Sequence, residues 1–132
     1  EEEEEEEELE LDKVHLVDLA TGVCTPRPSL NIPRDCYASA RLPDGRIIVA
    51  GGWSYVDHVG STLLDSAEVW EPSRGAWREL PEMGTSRYNN SGCLLSDGRF
   101  AVFGGYVDDE TSRVSESCMA MVLDDGAERW EP

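Results

Sequence analysis

Histidine is nearly missing from this sequence: only His15 and His58 occur among 132 residues. That scarcity bears on chemistry, because general acid–base work near neutral pH and imidazole metal sites both draw on histidine first. His15 falls on a strand-like stretch and His58 in a loop, and neither has a partner at a fixed spacing. Asp57-His58 therefore reads as two solvated loop residues rather than as a metal pair or general base. No Ser-His-Asp pattern, phosphate loop or paired-carboxylate site can be assembled. The expectation is a chain that is not an enzyme and that holds no cofactor and no metal. Long apolar runs are lacking too, which excludes a membrane-crossing helix, and the first residues have none of the features of a secretory leader. No 3.6-residue apolar periodicity lasts for ten residues, which excludes amphipathic helices.

Basic residues are few, 11 against 28 acidic ones, for a formal charge of -17. Nine of the first ten residues are glutamate, and the remainder still carries 19 acidic against 11 basic side chains. Such a chain is a poor match for a nucleic-acid surface. The glutamate run, residues 1–11 with its flank, is expected to be a solvated, self-repelling tail.

What is present is repetition. "LPDGRIIVAGGW" begins at Leu42, and "LSDGRFAVFGGY" begins 53 residues later at Leu95. Asp-Gly is a strong tight-turn signal because glycine supplies positive φ without steric cost. The apolar run after it reads as a strand buried on both faces. The glycine pair that ends the run bends the strand or admits another backbone closely. The same step of 53 pairs Arg34 with Arg87, Trp77 with Trp130, Ala67 with Ala120, Asp18 with Glu71 and Cys24 with Trp77, with no gap needed from about residue 12 onward. A fixed period of this size marks an array of structural units.

Each period orders its strand signals alike: residues 36–42, then 46–52, a loop over 53–64, a third strand in 65–72 closed by Pro72, and a short fourth strand over 76–80. Four short antiparallel strands per period predict an all-β chain of propeller blades. The order Arg34, Gly51-Gly52, Trp70-Glu71, Trp77, and then Arg87, Gly104-Gly105, Trp130, resembles the kelch repeat. The second unit departs from it with Leu123-Asp124 at the place of Trp70-Glu71, and the leading unit has Cys24 at the tryptophan place. The resemblance implies a kelch-type β-propeller and a protein-binding scaffold or adaptor, with a fragment of a kelch-type enzyme, galactose oxidase-like or sugar-modifying, whose catalytic residues lie in missing blades as the alternative.

The units read as the third and fourth strands of a leading partial blade (12–33), a complete repeat (34–86) and a second repeat shortened in its last strand (87–132). That is about two and a half blades of an incomplete ring, where propellers close with about four to eight. The four cysteines, Cys24, Cys36, Cys93 and Cys118, fall at different places in the period and never in C-x-x-C spacing. A disulfide or zinc framework would recur with the repeat, so reduced, mostly buried thiols of an intracellular, cytoplasmic protein are expected. The sequon at Asn89-Asn90-Ser91 precedes an internal strand and is read as incidental.

Binding is expected on the long loops, 53–64 and 106–117, equal in length and rich in aromatics and charge: Trp53, Tyr55, Asp57, His58, Tyr106, Asp108, Asp109, Glu110 and Arg113. Aromatics and arginine dominate interface hot spots, and rigid scaffolds place recognition on loops. The acidic excess points to a basic or mixed-charge protein segment as partner, beside the remaining blades of a longer chain. Because Trp77 has neighbouring units on both sides, Trp77→Ala is expected to harm folding more than Trp130→Ala.

Overall fold

The computed structural model describes residues 11–56, 60–107, 110–111, 113–123 and 127–132. Within them the chain forms strands only: β1 (Val14–Val17), β2 (Cys24–Arg27), β3 (Ala38–Arg41), β4 (Ile47–Ala50), β5 (Trp53–Val56), β6 (Gly60–Leu63), β7 (Ala67–Glu71), β8 (Ala76–Leu80), β9 (Ser91–Leu94), β10 (Phe100–Phe103), β11 (Cys118–Val122) and β12 (Arg129–Glu131). Two four-stranded antiparallel sheets, β3-β4-β7-β8 and β9-β10-β11-β12, are flanked by the two-stranded pairs β1-β2 and β5-β6. No helix among the described residues is long and apolar enough to cross a membrane.

The repeated Asp-Gly-Arg stretch explains where each second strand begins. Asp44 accepts the Arg46 backbone N–H at 3.0 Å and the Arg46 Nε–H at 2.8 Å. Asp97 holds Arg99 in the same way, at 3.1 and 2.9 Å. The backbone N–H of the arginine, helped by its guanidinium, keeps each aspartate below the usual carboxylate range. Gly45 and Gly98 lie at φ 93° and 89° inside these turns, a region that strongly favours glycine.

The strand registers assign a face to every residue. Ala38, Ala50, Ala67 and Leu80 lie side by side across the first sheet, as do Ala40, Ile48 and Val69. Across the second sheet, Leu94, Phe100, Met121 and Trp130 align. These two faces meet as the core. Small alanines on one side and large Phe100, Met121 and Trp130 on the other let the sheets interdigitate at native packing density. Glu68, Trp70 and Trp77 lie on the opposite face of the first sheet and meet the β1–β2 side. The second sheet's opposite face carries Cys93, Cys118 and Phe103, all exposed.

The connectors between units repeat their bonds. The Leu30 N–H donates to the Asp12 carbonyl and the Arg34 N–H to the Leu11 carbonyl; one unit later, the Met83 N–H donates to Asp65 and the Arg87 N–H to Leu64. The Gly52 N–H reaches the Arg87 carbonyl at 2.7 Å. A Cβ on Gly51 would stand 2.6 Å from that same carbonyl, and one on Gly52 would stand 2.3 Å from the Asp35 carbonyl. The glycine pair thus serves close backbone approach, Gly51 to the next unit and Gly52 to the connector of its own, one of the two roles its sequence position allows.

Three expectations need correction. The segment 53–64 is not an open loop: β5 and β6 pair within it as a hairpin, because Gly52 at φ 95° turns the chain out of β4 and Gly60 at φ 88° turns it back. The two long loops are not equal. Arg34 bonds the Gly51 carbonyl and Ser66, and Arg87 bonds the Gly104 carbonyl and Ser117. The step from Gly51 to Gly104 is 53, but that from Ser66 to Ser117 is only 51. The third strand of the second unit is therefore displaced by two residues, and a longer β11–β12 connection restores the period by Trp130. Met121 and Val122, not Leu123-Asp124, take the places of Trp70 and Glu71. Finally, the thiols are not mostly buried: Cys24, Cys93 and Cys118 are exposed and Cys36 is half-buried. Cys93 and Cys118 stand where the first sheet has Ala40 and Ala67, which the second sheet covers; no described sheet covers Cys93 and Cys118.

Candidate protein-binding face

The chain that leaves each glycine pair folds onto the connector of its own unit. Asp35 bridges Trp53, and one unit later Tyr88 bridges Tyr106, which also bridges Val114. The Tyr88 and Tyr106 rings stack with centroids 5.3 Å apart, tilted by 32°. In the β5–β6 hairpin Trp53 stands opposite Leu63 and Tyr55 opposite Ser61, so all four share one face. With Tyr88 they line an open groove of about 450 Å³. Both of its walls belong to described residues: the hairpin of one unit and the connector of the next.

Trp53 is half-buried and Tyr55 is 50% exposed, and the groove brings them together. Tyr106 is half-buried against Tyr88, while Glu110 and Arg113 are exposed on the next loop. Asp57, His58, Asp108 and Asp109 lie outside the described residues, as does the tail over 1–10. Sequence reasoning missed Tyr88, although the period carried its signal, since it follows Arg87 as Asp35 follows Arg34. Ser61 and Leu63 were missed because the hairpin was read as loop.

The repeat-signature residues sit at the junctions. Arg34 is buried and ion-paired to Glu68 at 2.9 Å, with both side chains fully inaccessible. Glu68 also accepts the Asn31 and Ile32 backbone N–H groups at 2.7 and 3.2 Å, so one carboxylate fastens a strand to the preceding connector. Arg87 is buried as deeply but meets no carboxylate: the displaced third strand puts Met119 where Glu68 stands. Burial draws both guanidinium pKa values below the ordinary arginine value, and Glu68 opposes the shift for Arg34. The Trp77 indole N–H donates to the Pro28 carbonyl at 3.1 Å and that of Trp130 to Pro81 at 2.7 Å, each reaching back one unit. Trp70 tilts against Trp77, with centroids 5.7 Å apart. Gly104 and Gly105 repeat the positive φ of the first glycine pair, at 58° and 84°. Among the described residues no three His, Cys, Asp or Glu side chains gather as metal ligands.

Meandering four-stranded sheets packed face to face define a chain of the β-propeller class. Residues 36–84 match the kelch motif, so the chain carries a kelch repeat. It is 30% identical over 93 residues to the F-box/kelch-repeat protein SKIP30 of Arabidopsis thaliana, covering 69% of this chain and 24% of that protein. It is 29% identical over 96 residues to a galactose oxidase of Gibberella zeae, covering 70% of this chain and 13% of that one. The solved structure of YjhT superposes with a TM-score of 0.74 at 12% identity, over 92% of this chain and 38% of that chain, a likeness of fold. The chain thus spans a quarter or less of the length of these curated relatives.

Proposed function

We propose that this chain is part of a non-enzymatic, protein-binding kelch propeller of scaffold or adaptor type, and that its partner is a basic or mixed-charge protein segment. The observation that carries the reading is the exposed aromatic groove built by a hairpin and a connector. Similarity to F-box/kelch-repeat proteins supports an adaptor setting. Neutralising Asp57, Asp108, Asp109 and Glu110 together in the full-length protein should weaken partner capture severalfold and flatten its salt dependence, because steering by exposed charge is screened over about 10 Å at 0.1 M salt. Unchanged capture with unchanged salt response would place the interface elsewhere. The galactose oxidase match favours one second reading, a piece of a kelch-type enzyme whose catalytic residues stand on other blades.

We further propose an intracellular, cytoplasmic setting for the free thiols. A thiol reagent added to the folded, unreduced protein should modify Cys24, Cys93 and Cys118 rapidly and Cys36 slowly, and all four after denaturation. Fewer than four free thiols after denaturation would mean disulfides and an oxidising compartment.

A further inference from the structure

We propose that the groove between the β5–β6 hairpin and the Tyr88 connector is a receptor for an extended, arginine-bearing peptide segment, an inference that rests on the protein-binding reading and names its subsite. Three observations carry it. The groove is walled by Trp53, Tyr55 and Tyr88, with Leu63 and Ser61 completing the hairpin side. Aromatic faces attract guanidinium groups, and arginine stacks on them better than lysine. Among the described residues that line the groove there is no lysine or arginine to repel an incoming cation. Asp35, whose backbone pairs with that of Trp53, is exposed, with one carboxylate oxygen accepting the Cys36 N–H, and the whole chain is strongly acidic.

The chain's own cations are largely committed elsewhere: Arg34, Arg46, Arg74, Arg78, Arg99 and Arg129 all pair with carboxylates. Arg78 alone clamps Glu71 and, with two bonds of 2.7 Å, Glu128 of the next unit. A volume of about 450 Å³ is that of a small ligand pocket, which suits one or two side chains of an extended segment rather than a helix face. A neutral sugar stacking on the same rings would be indifferent to salt and to the charge of the peptide.

The test uses the full-length protein and a fluorescein-labelled heptapeptide of alternating glycine and arginine, read by anisotropy, beside the same peptide with citrulline for arginine. The arginine peptide should bind, the citrulline peptide at least tenfold more weakly, and Tyr55→Ala should lose about tenfold. Tyr55 is half exposed and outside the core, so this variant keeps its fold, which its thermal melt checks. Binding that ignores citrulline replacement or Tyr55→Ala, or that a neutral oligosaccharide displaces, would overturn the proposal. Peptide binding that persists while neutralised loops leave partner capture untouched would sink the broader reading alone. Loop-dependent capture without any peptide response would sink this inference alone.

Discussion

Replacing Arg34 by Met should destabilise the protein by about 3–5 kcal/mol, the usual consequence of breaking a buried ion pair from one side. The substitution leaves Glu68 inaccessible, still held to the Asn31 and Ile32 amides but without its counter-charge. The equivalent change one unit later, Arg87→Met, removes a buried charge that has no carboxylate to orphan. It strands the Gly104 carbonyl, while the Ser117 carbonyl keeps the Gly104 N–H and the Ser117 hydroxyl keeps Ser115, an expected cost of about 1–3 kcal/mol. Two further variants separate charge from packing. Glu68→Met in the Arg34→Met background should recover most of the loss, since an apolar pair of similar volume does as well as a buried ion pair. Met119→Glu should stabilise, because it gives Arg87 the partner that Arg34 has. Denaturant midpoints at constant slope measure all four. Equal losses for Arg34→Met and Arg87→Met would show that the ion pair contributes nothing beyond its hydrogen bonds.

This asymmetry was not legible in the sequence, and the reason is physical. The Asp-Gly turns, the glycine pairs and the tryptophans recur at 53, and local turn chemistry makes them readable, so the four-stranded unit and the strand over 76–80 follow from pattern alone. Register within a sheet is set across strands. A two-residue shortening of one loop, offset by a longer hairpin, leaves the period intact at both ends while moving every residue between them. A slip of two keeps each side chain on its face, so the apolar pattern of the third strand gave no warning. The strand registers and the bonds of Arg34 to Ser66 and Arg87 to Ser117 expose it. The candidate site was half legible for a related reason. Trp53 and Tyr55 stood out as aromatics after a glycine pair, but their groove needs Tyr88 from the next unit, and that juxtaposition belongs to packing between units.

Packing between units also reverses the expected order of the two tryptophans. Trp130→Ala should cost about 3 kcal/mol, the low end for a large aromatic in a core, and Trp77→Ala about half of that. Each indole reaches back to the preceding unit, so the deciding question is what that unit offers. Trp130 packs edge-on to Phe100, 6.3 Å between centroids, against the core shared by two complete four-stranded sheets. Trp77 is on the β1–β2 side, where its indole reaches Pro28 and its ring tilts against Trp70, which borders an open cavity of about 440 Å³ with Val14, Leu16 and Ile47. Ile47 is 37% exposed there, whereas its counterpart Phe100 is fully buried. A side chain that already borders solvent has less burial to lose. Among the described residues two such half-covered faces remain, the one beside β1–β2 and the one carrying Cys93, Cys118 and Phe103. On the latter the Gly105 N–H has no described partner, where its counterpart Gly52 bonds the Arg87 carbonyl. Uncovered faces of this kind favour association, so the 132-residue chain alone should be marginally stable and should self-associate, while Trp130→Ala should abolish its cooperative melt. Size exclusion and thermal melts decide both points: a sharply melting monomer, or a larger loss from Trp77→Ala than from Trp130→Ala, would show that the shared core between the two complete sheets is not what holds the arc together.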